Sequence, residues 1–172
     1  MHTNSQIIML GDSLIEYGEW QELIKTKYSI LNSGVGGDTT IDLLNRMSSI
    51  STNIKKTFLM VGVNDLMQGR SVDEIFFNYE SIIKQLTEKN IEPIIMSTLY
   101  TGSDYAQYYN NDIKKLNKLI YSYSKEHNII YIDVNSVLSD DNDTLKYKYS
   151  LDGVHINNDG YFKWSTLIAK YF

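Results

Sequence analysis

The chain has 172 residues, of which 42% are hydrophobic and 22% charged, and its formal net charge at pH 7 is −5. These values are typical of a globular protein with one core, and the negative charge argues against nucleic acid and anionic membranes as partners, because both bind basic patches. The absence of cysteine excludes disulfides, thiolate metal sites and a cysteine nucleophile. We expect a single domain over residues 1–172.

The N-terminal segment "MHTNSQIIMLGDS" has neither a basic region nor a long apolar stretch. We therefore expect no signal peptide and a cytoplasmic location. No apolar run approaches the roughly 18 residues of a membrane-spanning helix, so we also expect no membrane span.

Five short apolar runs, separated by longer amphipathic patterns, predict the secondary structure. The runs are continuous rather than alternating, which predicts strands in a sheet that is covered on both faces. Ser71 and Glu74 form a predicted capping box at one helix start. The alternation of strands and helices predicts an α/β fold with a parallel sheet. The strands are predicted at 6–10, 28–32, 57–63, 93–99 and 129–134, the helices at 38–50, 71–90, 110–128 and 158–172, and the longest irregular stretch at about 135–158.

Small and polar residues follow the predicted strands. "GDSL" (11–14) follows the first strand, "GVGGDT" (34–39) the second and "GVND" (62–65) the third, while "DGVH" (152–155) lies in the loop after the fifth. Ligands of open parallel sheets bind at the carboxyl ends of the strands. We therefore expect these four segments to meet at one rim of the sheet.

Ser13 and His155 are the candidate chemical pair of this rim. A serine on a tight strand–helix turn presents its hydroxyl, but it needs a base to become a nucleophile. His2 lies in the N-terminal tail and His127 at a helix end, which leaves His155 as the histidine of a rim loop. Asp152 can accept a hydrogen bond from Nδ1 of His155 and leave Nε2 as the base. Alone, the serine is more often a helix cap and the Asp–His pair a structural turn, but together they favour a catalytic role.

Donors for a developing oxyanion are available at the same rim. The candidates are the backbone N–H groups of Ser13 and Gly37 and the side-chain N–H of Asn64. Glycine at position 37 permits the positive φ that such a loop needs. Asp65 is expected to be a supporting residue that pairs with Arg46 or caps the next helix.

Three residues near the nucleophile are candidates for contacting a substrate. Asp12 directly precedes Ser13, and Tyr17 and Trp20 follow it closely. Tyr17 and Trp20 either line an acyl or alcohol pocket or pack as ordinary helix residues. We expect no metal site, because the Asp–His pair lacks a third ligand and no HxH or HExxH pattern accompanies it.

The four segments, in this order and at these strand ends, resemble the motifs of the GDSL or SGNH hydrolases over nearly the whole chain. The family letters S, G, N and H fall on Ser13, Gly37, Asn64 and His155, and the family's triad acid falls on Asp152. The resemblance implies a flavodoxin-like three-layer α/β/α sandwich with five parallel strands in the order 2-1-3-4-5. It also implies a Ser-His-Asp triad, a Ser/Gly/Asn oxyanion hole and no cofactor.

Members of this family are esterases, lipases, thioesterases and carbohydrate O-deacetylases, so the resemblance implies a serine hydrolase acting on a small acyl ester. "GVGGDT" and "DGVHINNDGY" are similar to segments of platelet-activating-factor acetylhydrolase catalytic subunits, and the second is also similar to the end of sialate O-acetylesterase domains. We predict a short-chain, acetyl O-ester of a carbohydrate as the favoured substrate. Lysophospholipids and thioesters are the alternatives within the class, and a non-catalytic ligand-binding module is the alternative outside it. A homodimer is one assembly that the sequence leaves open.

Overall fold

A parallel sheet of five strands runs through the centre of the computed structural model, which describes residues 6–172. The strands lie side by side in the order second, first, third, fourth, fifth, which confirms the predicted topology. His2 lies outside the described residues. In chain order the strands are β1 (Gln6–Gly11), β2 (Ser29–Gly34), β3 (Ile54–Met60), β4 (Glu92–Met96) and β5 (Ile130–Ile132).

Helices connect the strands and cover the sheet. No helix of residues 6–172 is long and apolar enough to span a membrane. Short 3₁₀ turns occur at Met47–Ser49, Tyr147–Tyr149 and Ala169–Tyr171. The α-helices are α1 (Ser13–Glu16), α2 (Trp20–Leu23), α3 (Thr40–Arg46), α4 (Val63–Met67), α5 (Val72–Glu88), α6 (Ser103–Glu126), α7 (Asn135–Leu138) and α8 (Asn158–Ile168).

Two hydrophobic cores, one on each face of the sheet, make the three-layer α/β/α sandwich. Successive side chains of a strand point to opposite faces. Ile7 and Met9 of β1 accordingly join the core that contains Trp164 of α8. Ile8 and Leu10 join the opposite core, which α3, α5 and α6 cover. Both faces of β1 are therefore buried, which explains why its sequence is continuously apolar.

The capping box predicted for α5 is confirmed. The Ser71 hydroxyl accepts a hydrogen bond from the Glu74 backbone N–H at 3.3 Å, and the Glu74 carboxylate accepts one from the Ser71 N–H at 2.9 Å. A second capping box, formed by Thr39 and Asp42, starts α3. This helix therefore begins at Thr40, two residues after the predicted start.

The predicted helix and strand ends differ from the observed ones for a physical reason. β3 stops at Met60, yet Val61 and Val63 remain buried in the core without strand pairing. An apolar run in a sequence indicates buried residues, and here residues stay buried after the last backbone hydrogen bond of the strand. Conversely, α6 begins at Ser103, earlier than the predicted start at residue 110. Its first turns carry exposed tyrosines, which give no apolar periodicity from which a helix could be predicted.

Candidate active site

The turn after β1 presents Ser13 at the rim of the sheet. Asp12 is the N-cap of α1, and its carboxyl accepts a hydrogen bond from the Leu14 N–H at 3.0 Å. Glycine is required at position 11, because a Cβ there would lie 2.0 Å from the Met60 carbonyl oxygen of the neighbouring strand. Ser13 is the first helical residue and is 8% exposed. Strand pairing and the cap together hold this serine at the sheet edge.

Ser13, His155 and Asp152 form a continuous hydrogen-bonded chain. The Ser13 Oγ lies 3.0 Å from His155 Nε2, although 142 residues separate them in sequence. On the other side of the ring, Nδ1 lies 2.7 Å from the Asp152 Oδ2. An ionised carboxylate only accepts hydrogen bonds, so Nδ1 carries the hydrogen in this pair. In the neutral ring Nε2 then offers a lone pair to the serine hydroxyl.

The carboxylate of Asp152 is held in its charged form. Desolvation alone would raise its pKa, but hydrogen bonds from the His155 ring, the His155 backbone N–H and the Val154 backbone N–H lower the pKa to about 2. The two backbone N–H groups donate to Oδ1 at 2.7 and 2.9 Å. Although the side chain of Asp152 is 54% exposed, these bonds fix its orientation towards the imidazole.

Short-range hydrogen bonds shape the loop that carries this pair. The Leu151 N–H donates to the His155 carbonyl at 2.9 Å, and the Gly153 N–H donates to the Ser150 hydroxyl at 2.8 Å. Gly153 has a φ of +89°, which favours glycine. The Gly102 N–H donates to the Gly153 carbonyl at 2.6 Å and ties the loop to the start of α6. The turn therefore brings residues 152 and 155 together.

Asn64 and Gly37 lie on adjoining segments of the rim. The Asn64 side-chain amide donates one hydrogen bond, at 3.0 Å, to the carbonyl of Asp38. Its second N–H stays available for another acceptor. Gly37 has a φ of +82°, as the sequence led us to expect of this turn. Within residues 6–172, the backbone N–H groups of Ser13 and Gly37 donate to no protein acceptor.

Arg46 braces the ends of two strands and the loop that follows. Its Nε donates to Asp38 at 2.7 Å, and its terminal nitrogens donate to the Ser33 hydroxyl, the Ser33 carbonyl and the Gly11 carbonyl at 2.9–3.0 Å. The guanidinium fork suits several oxygen acceptors at once. Sequence reasoning missed this role, because most of these acceptors are backbone or hydroxyl oxygens that no motif marks.

The expected pairing of Asp65 with Arg46 is wrong. The fully buried Asp65 carboxylate instead accepts hydrogen bonds from the Thr40 N–H at 2.8 Å and the Thr40 hydroxyl at 2.7 Å, and Arg70 lies 3.5 Å away. Burial raises its pKa, and the hydrogen bonds from Thr40 and the charge of Arg70 oppose that shift. Asp65 therefore locks the helix that bears Asn64 against the start of α3.

Two of the predicted substrate-contacting residues, Asp12 and Trp20, are buried, which contradicts the prediction. Asp12 is 1% exposed and serves as a helix cap, and burial raises the pKa of its carboxyl to about 7. Trp20 is also 1% exposed; its indole N–H donates to the Ile15 carbonyl at 2.8 Å and its ring packs against Trp164. Neither side chain can contact a substrate from these positions. Tyr17, in contrast, is 57% exposed.

The chain of Ser13, His155 and Asp152 can transfer a proton from the hydroxyl to the imidazole. N–H donors on the same rim of the sheet can stabilise a negative oxygen that develops on a substrate there. His127 lies at the end of α6, where its Nδ1 contacts the Tyr123 carbonyl at 2.9 Å, and takes no part. Among the described residues, no three histidine or acidic side chains converge as metal ligands would.

Comparison with known proteins relates the chain to acyl hydrolases. The model of the GDSL-like Lipase/Acylhydrolase family matches residues 9–162. The N-acylneuraminate cytidylyltransferase of Streptococcus agalactiae serotype V is 31% identical over 154 residues, which are 88% of this chain and 35% of that protein. The chain thus spans about a third of the length of this curated relative.

Two further similarities extend over nearly the whole chain. The platelet-activating factor acetylhydrolase IB subunit alpha2 of Rattus norvegicus is 24% identical over 164 residues, which are 91% of this chain and 71% of that protein. A solved structure from Streptococcus pneumonia, provisionally described as a platelet activating factor, has a TM-score of 0.88 at 28% identity. It covers 99% of this chain and 85% of the other.

Proposed function

Because this chain belongs to the GDSL-like lipase/acylhydrolase family, we propose that it hydrolyses esters as a serine esterase through Ser13, His155 and Asp152. The observation that carries this proposal is the 3.0 Å contact between the Ser13 hydroxyl and the His155 Nε2. That distance is within hydrogen-bond reach of a base and its nucleophile.

In the proposed first step, Ser13 Oγ attacks the ester carbonyl carbon while His155 Nε2 takes the hydroxyl proton. Asp152, ionised because its pKa is about 2, stabilises the imidazolium through Nδ1. The carbonyl oxygen becomes an oxyanion that accepts hydrogen bonds from the N–H groups of Ser13 and Gly37 and from the side chain of Asn64.

Collapse of the tetrahedral intermediate breaks the ester C–O bond, and His155 gives its proton to the leaving alcohol. An acyl ester on Ser13 remains. Water then attacks the acyl carbon while His155 takes a proton from the water. As the second tetrahedral intermediate collapses, the bond between the acyl carbon and Ser13 Oγ breaks, His155 returns its proton to that oxygen, and the carboxylic acid leaves. Each residue thus returns to its starting protonation state after one turnover.

We propose that the acyl group is short, acetyl in the favoured case. The space beside the nucleophile has a charged neighbour: a Cβ at Gly36 would lie 3.9 Å from the Ser13 Cβ and 2.8 Å from the Glu16 carboxylate. A carboxylate is a poor neighbour for a long hydrocarbon chain. The acetylhydrolase relative, whose name specifies acetyl, supports the same proposal.

We propose that the alcohol is a carbohydrate. Support comes from the relative named for N-acylneuraminate, a sugar acid, which shares 31% identity with most of this chain. The platelet-activating-factor relative supports a lipid alcohol instead, so a lysophospholipid-type ester is the second candidate. Turnover of acetylated glycosides, compared with that of a lysophospholipid acetyl ester, separates the two.

The test of the triad is Ser13→Ala, with Ser136→Ala as a control at an exposed serine. We expect Ser13→Ala to lower kcat for p-nitrophenyl acetate by several powers of ten, up to ~10⁶. Ser136→Ala should keep the wild-type rate. Near-normal turnover by folded Ser13→Ala enzyme would reject the nucleophile assignment, and unfolding of that variant is checked by circular dichroism.

A further inference from the structure

Tyr17 lies beside the histidine of the site and faces solvent. It follows Ser13 by one helical turn, and its N–H donates to the Ser13 carbonyl at 3.0 Å. The two side chains therefore project from neighbouring positions on one helix face. The Tyr17 ring centroid lies 5.5 Å from that of His155, at an interplanar angle of 43°. A large aromatic surface, 57% exposed, is thus held at the edge of the reacting groups.

A shallow cavity of about 470 Å³, wide open to solvent, lies between Tyr17 and the start of α8. Leu151 and Ile156, which bracket His155 in sequence, line it together with Asn158 and Asp159. Its volume is within the range of small-ligand pockets. Ser13 and His155 are not among the lining residues, and Tyr17, whose ring lies between the cavity and the imidazole at 5.5 Å from the latter, connects the two.

The position of the cavity determines which part of an ester it can hold. In the proposed mechanism the carbonyl oxygen points to the donors of Gly37 and Asn64, and the leaving oxygen must reach His155 to receive its proton. The alcohol therefore departs on the imidazole side, where Tyr17 lies. The acyl group occupies the remaining direction, near Gly36.

The lining of the cavity indicates the chemistry of that alcohol. Tyrosine offers a wide amphipathic surface at little cost in side-chain entropy. The side chains of Asn158 and Asp159 make no hydrogen bond or ion pair within residues 6–172 and are free to contact hydroxyl groups. Among the described residues that line the cavity, Asp159 alone is charged, and its charge is negative. An anionic ring is therefore disfavoured there.

We propose that this cavity is the alcohol subsite and that it takes a neutral, hydroxyl-rich ring stacked on Tyr17. The proposal rests on the esterase function proposed above and narrows it: the preferred carbohydrate is a neutral sugar ester. The relative named for N-acylneuraminate then supports a carbohydrate alcohol in general, while the charge of Asp159 argues against a sugar acid in this cavity. Tyr17 and Asp159 act here as specificity-determining residues, one through contact area and the other through charge.

The test compares kcat/KM for an O-acetylated methyl glucoside with kcat/KM for methyl acetate, which has no ring to stack. We expect Tyr17→Ala to lower the ratio of the two constants about tenfold and Tyr17→Phe to preserve it, because the ring remains. Tyr108→Ala, a matched change at an exposed tyrosine of α6, should leave the ratio at the wild-type value. A Tyr17→Ala ratio equal to wild type would overturn the proposal. If both constants fall by the same factor, the ratio is unchanged and Tyr17 only positions His155.

Asp159→Asn provides the second arm. We expect it to raise kcat/KM for an O-acetylated sugar acid a few-fold relative to the neutral glucoside ester, with the gain largest at low ionic strength. If Asp159→Asn leaves the preference for the neutral ester over the sugar-acid ester unchanged, Asp159 does not determine specificity through its charge. Ser13→Ala separates failure of the subsite proposal from failure of the esterase proposal. If Ser13→Ala is inactive while the Tyr17 and Asp159 variants keep the wild-type selectivity, the esterase function stands and the subsite proposal fails.

Discussion

The turn that carries Ser13 and the loop that carries His155 reach the same site by different physical means. Ser13 and its cap Asp12 are buried, and their position follows from strand pairing and from the backbone contacts of Arg46. Asp152 is half-exposed, and its loop is shaped by hydrogen bonds over a few residues. The serine side is therefore fixed by buried groups and strand pairing, whereas the histidine side is a local turn joined to the start of α6 by a backbone hydrogen bond.

This contrast predicts that damage on the histidine side costs activity with little loss of stability. We expect His155→Ala to lower kcat by up to ~10⁶, and the double variant with Ser13→Ala to be no slower than either single variant, because the two residues act as a unit. Ester hydrolysis and thermal unfolding of the three proteins provide the measurement. Additive losses in kcat would contradict the pairing.

Asp152→Asn sharpens the contrast. The amide can keep the backbone hydrogen bonds of Oδ1, but it cannot stabilise the imidazolium as a carboxylate does. We expect kcat to fall about 10²–10⁴-fold while the free energy of unfolding changes by ~1 kcal/mol or less, since the side chain is exposed. Urea unfolding measures the second quantity. A loss of several kcal/mol would show that this loop is part of the core after all.

Asn64→Ala removes a proposed oxyanion donor on the serine side. We expect kcat to fall roughly 10²–10³-fold with KM little changed, because the hydrogen bond strengthens only as the oxyanion forms. Asn142→Ala, at an exposed asparagine, is the control. If KM rises and kcat stays constant, Asn64 binds the ground state instead.

Arg46→Met tests the hydrogen bonds of Arg46 to the strand ends near Ser13. Its removal leaves the Asp38 carboxylate without its cationic partner and takes one donor each from the Ser33 and Gly11 carbonyls. We therefore expect a loss of about 3 kcal/mol of stability and a roughly tenfold lower kcat. Lys84→Met, at an exposed helix position, should change neither. Full stability of Arg46→Met would refute the claim that the core sets the position of Ser13.

Asp12→Asn is expected to act through stability and its pH dependence. Burial raises the pKa of Asp12 from 3.8 to about 7, so the folded state holds a proton that the unfolded state releases between those values. Wild-type stability therefore falls as pH rises through this window. The asparagine variant has no carboxyl to ionise, so between pH 4 and pH 8 its stability relative to the wild type should rise by roughly 2–4 kcal/mol. Urea unfolding at pH 4 and pH 8 measures it; a constant difference between the proteins contradicts the assignment.

The sequence predicts most of the fold because buried strands are continuously apolar and the helices carry caps or periodic patterns. It misplaces the strand ends at Val61 and Val63, where burial outlasts pairing. Ser13 and His155 can be predicted because reactive residue types are rare along this rim. Trp20 and Arg46 could not be placed correctly, since the first depends on the direction in which a short helix faces and the second on backbone acceptors.

The central claim is that Ser13 is a nucleophile activated by His155. The most direct measurement is reaction with a fluorophosphonate probe, followed by intact mass and peptide mapping of the wild type, Ser13→Ala and His155→Ala. We predict one adduct on Ser13 in the wild type, none in Ser13→Ala and strongly slowed labelling in His155→Ala. An adduct on another residue, or equal labelling rates in wild type and His155→Ala, would contradict the account.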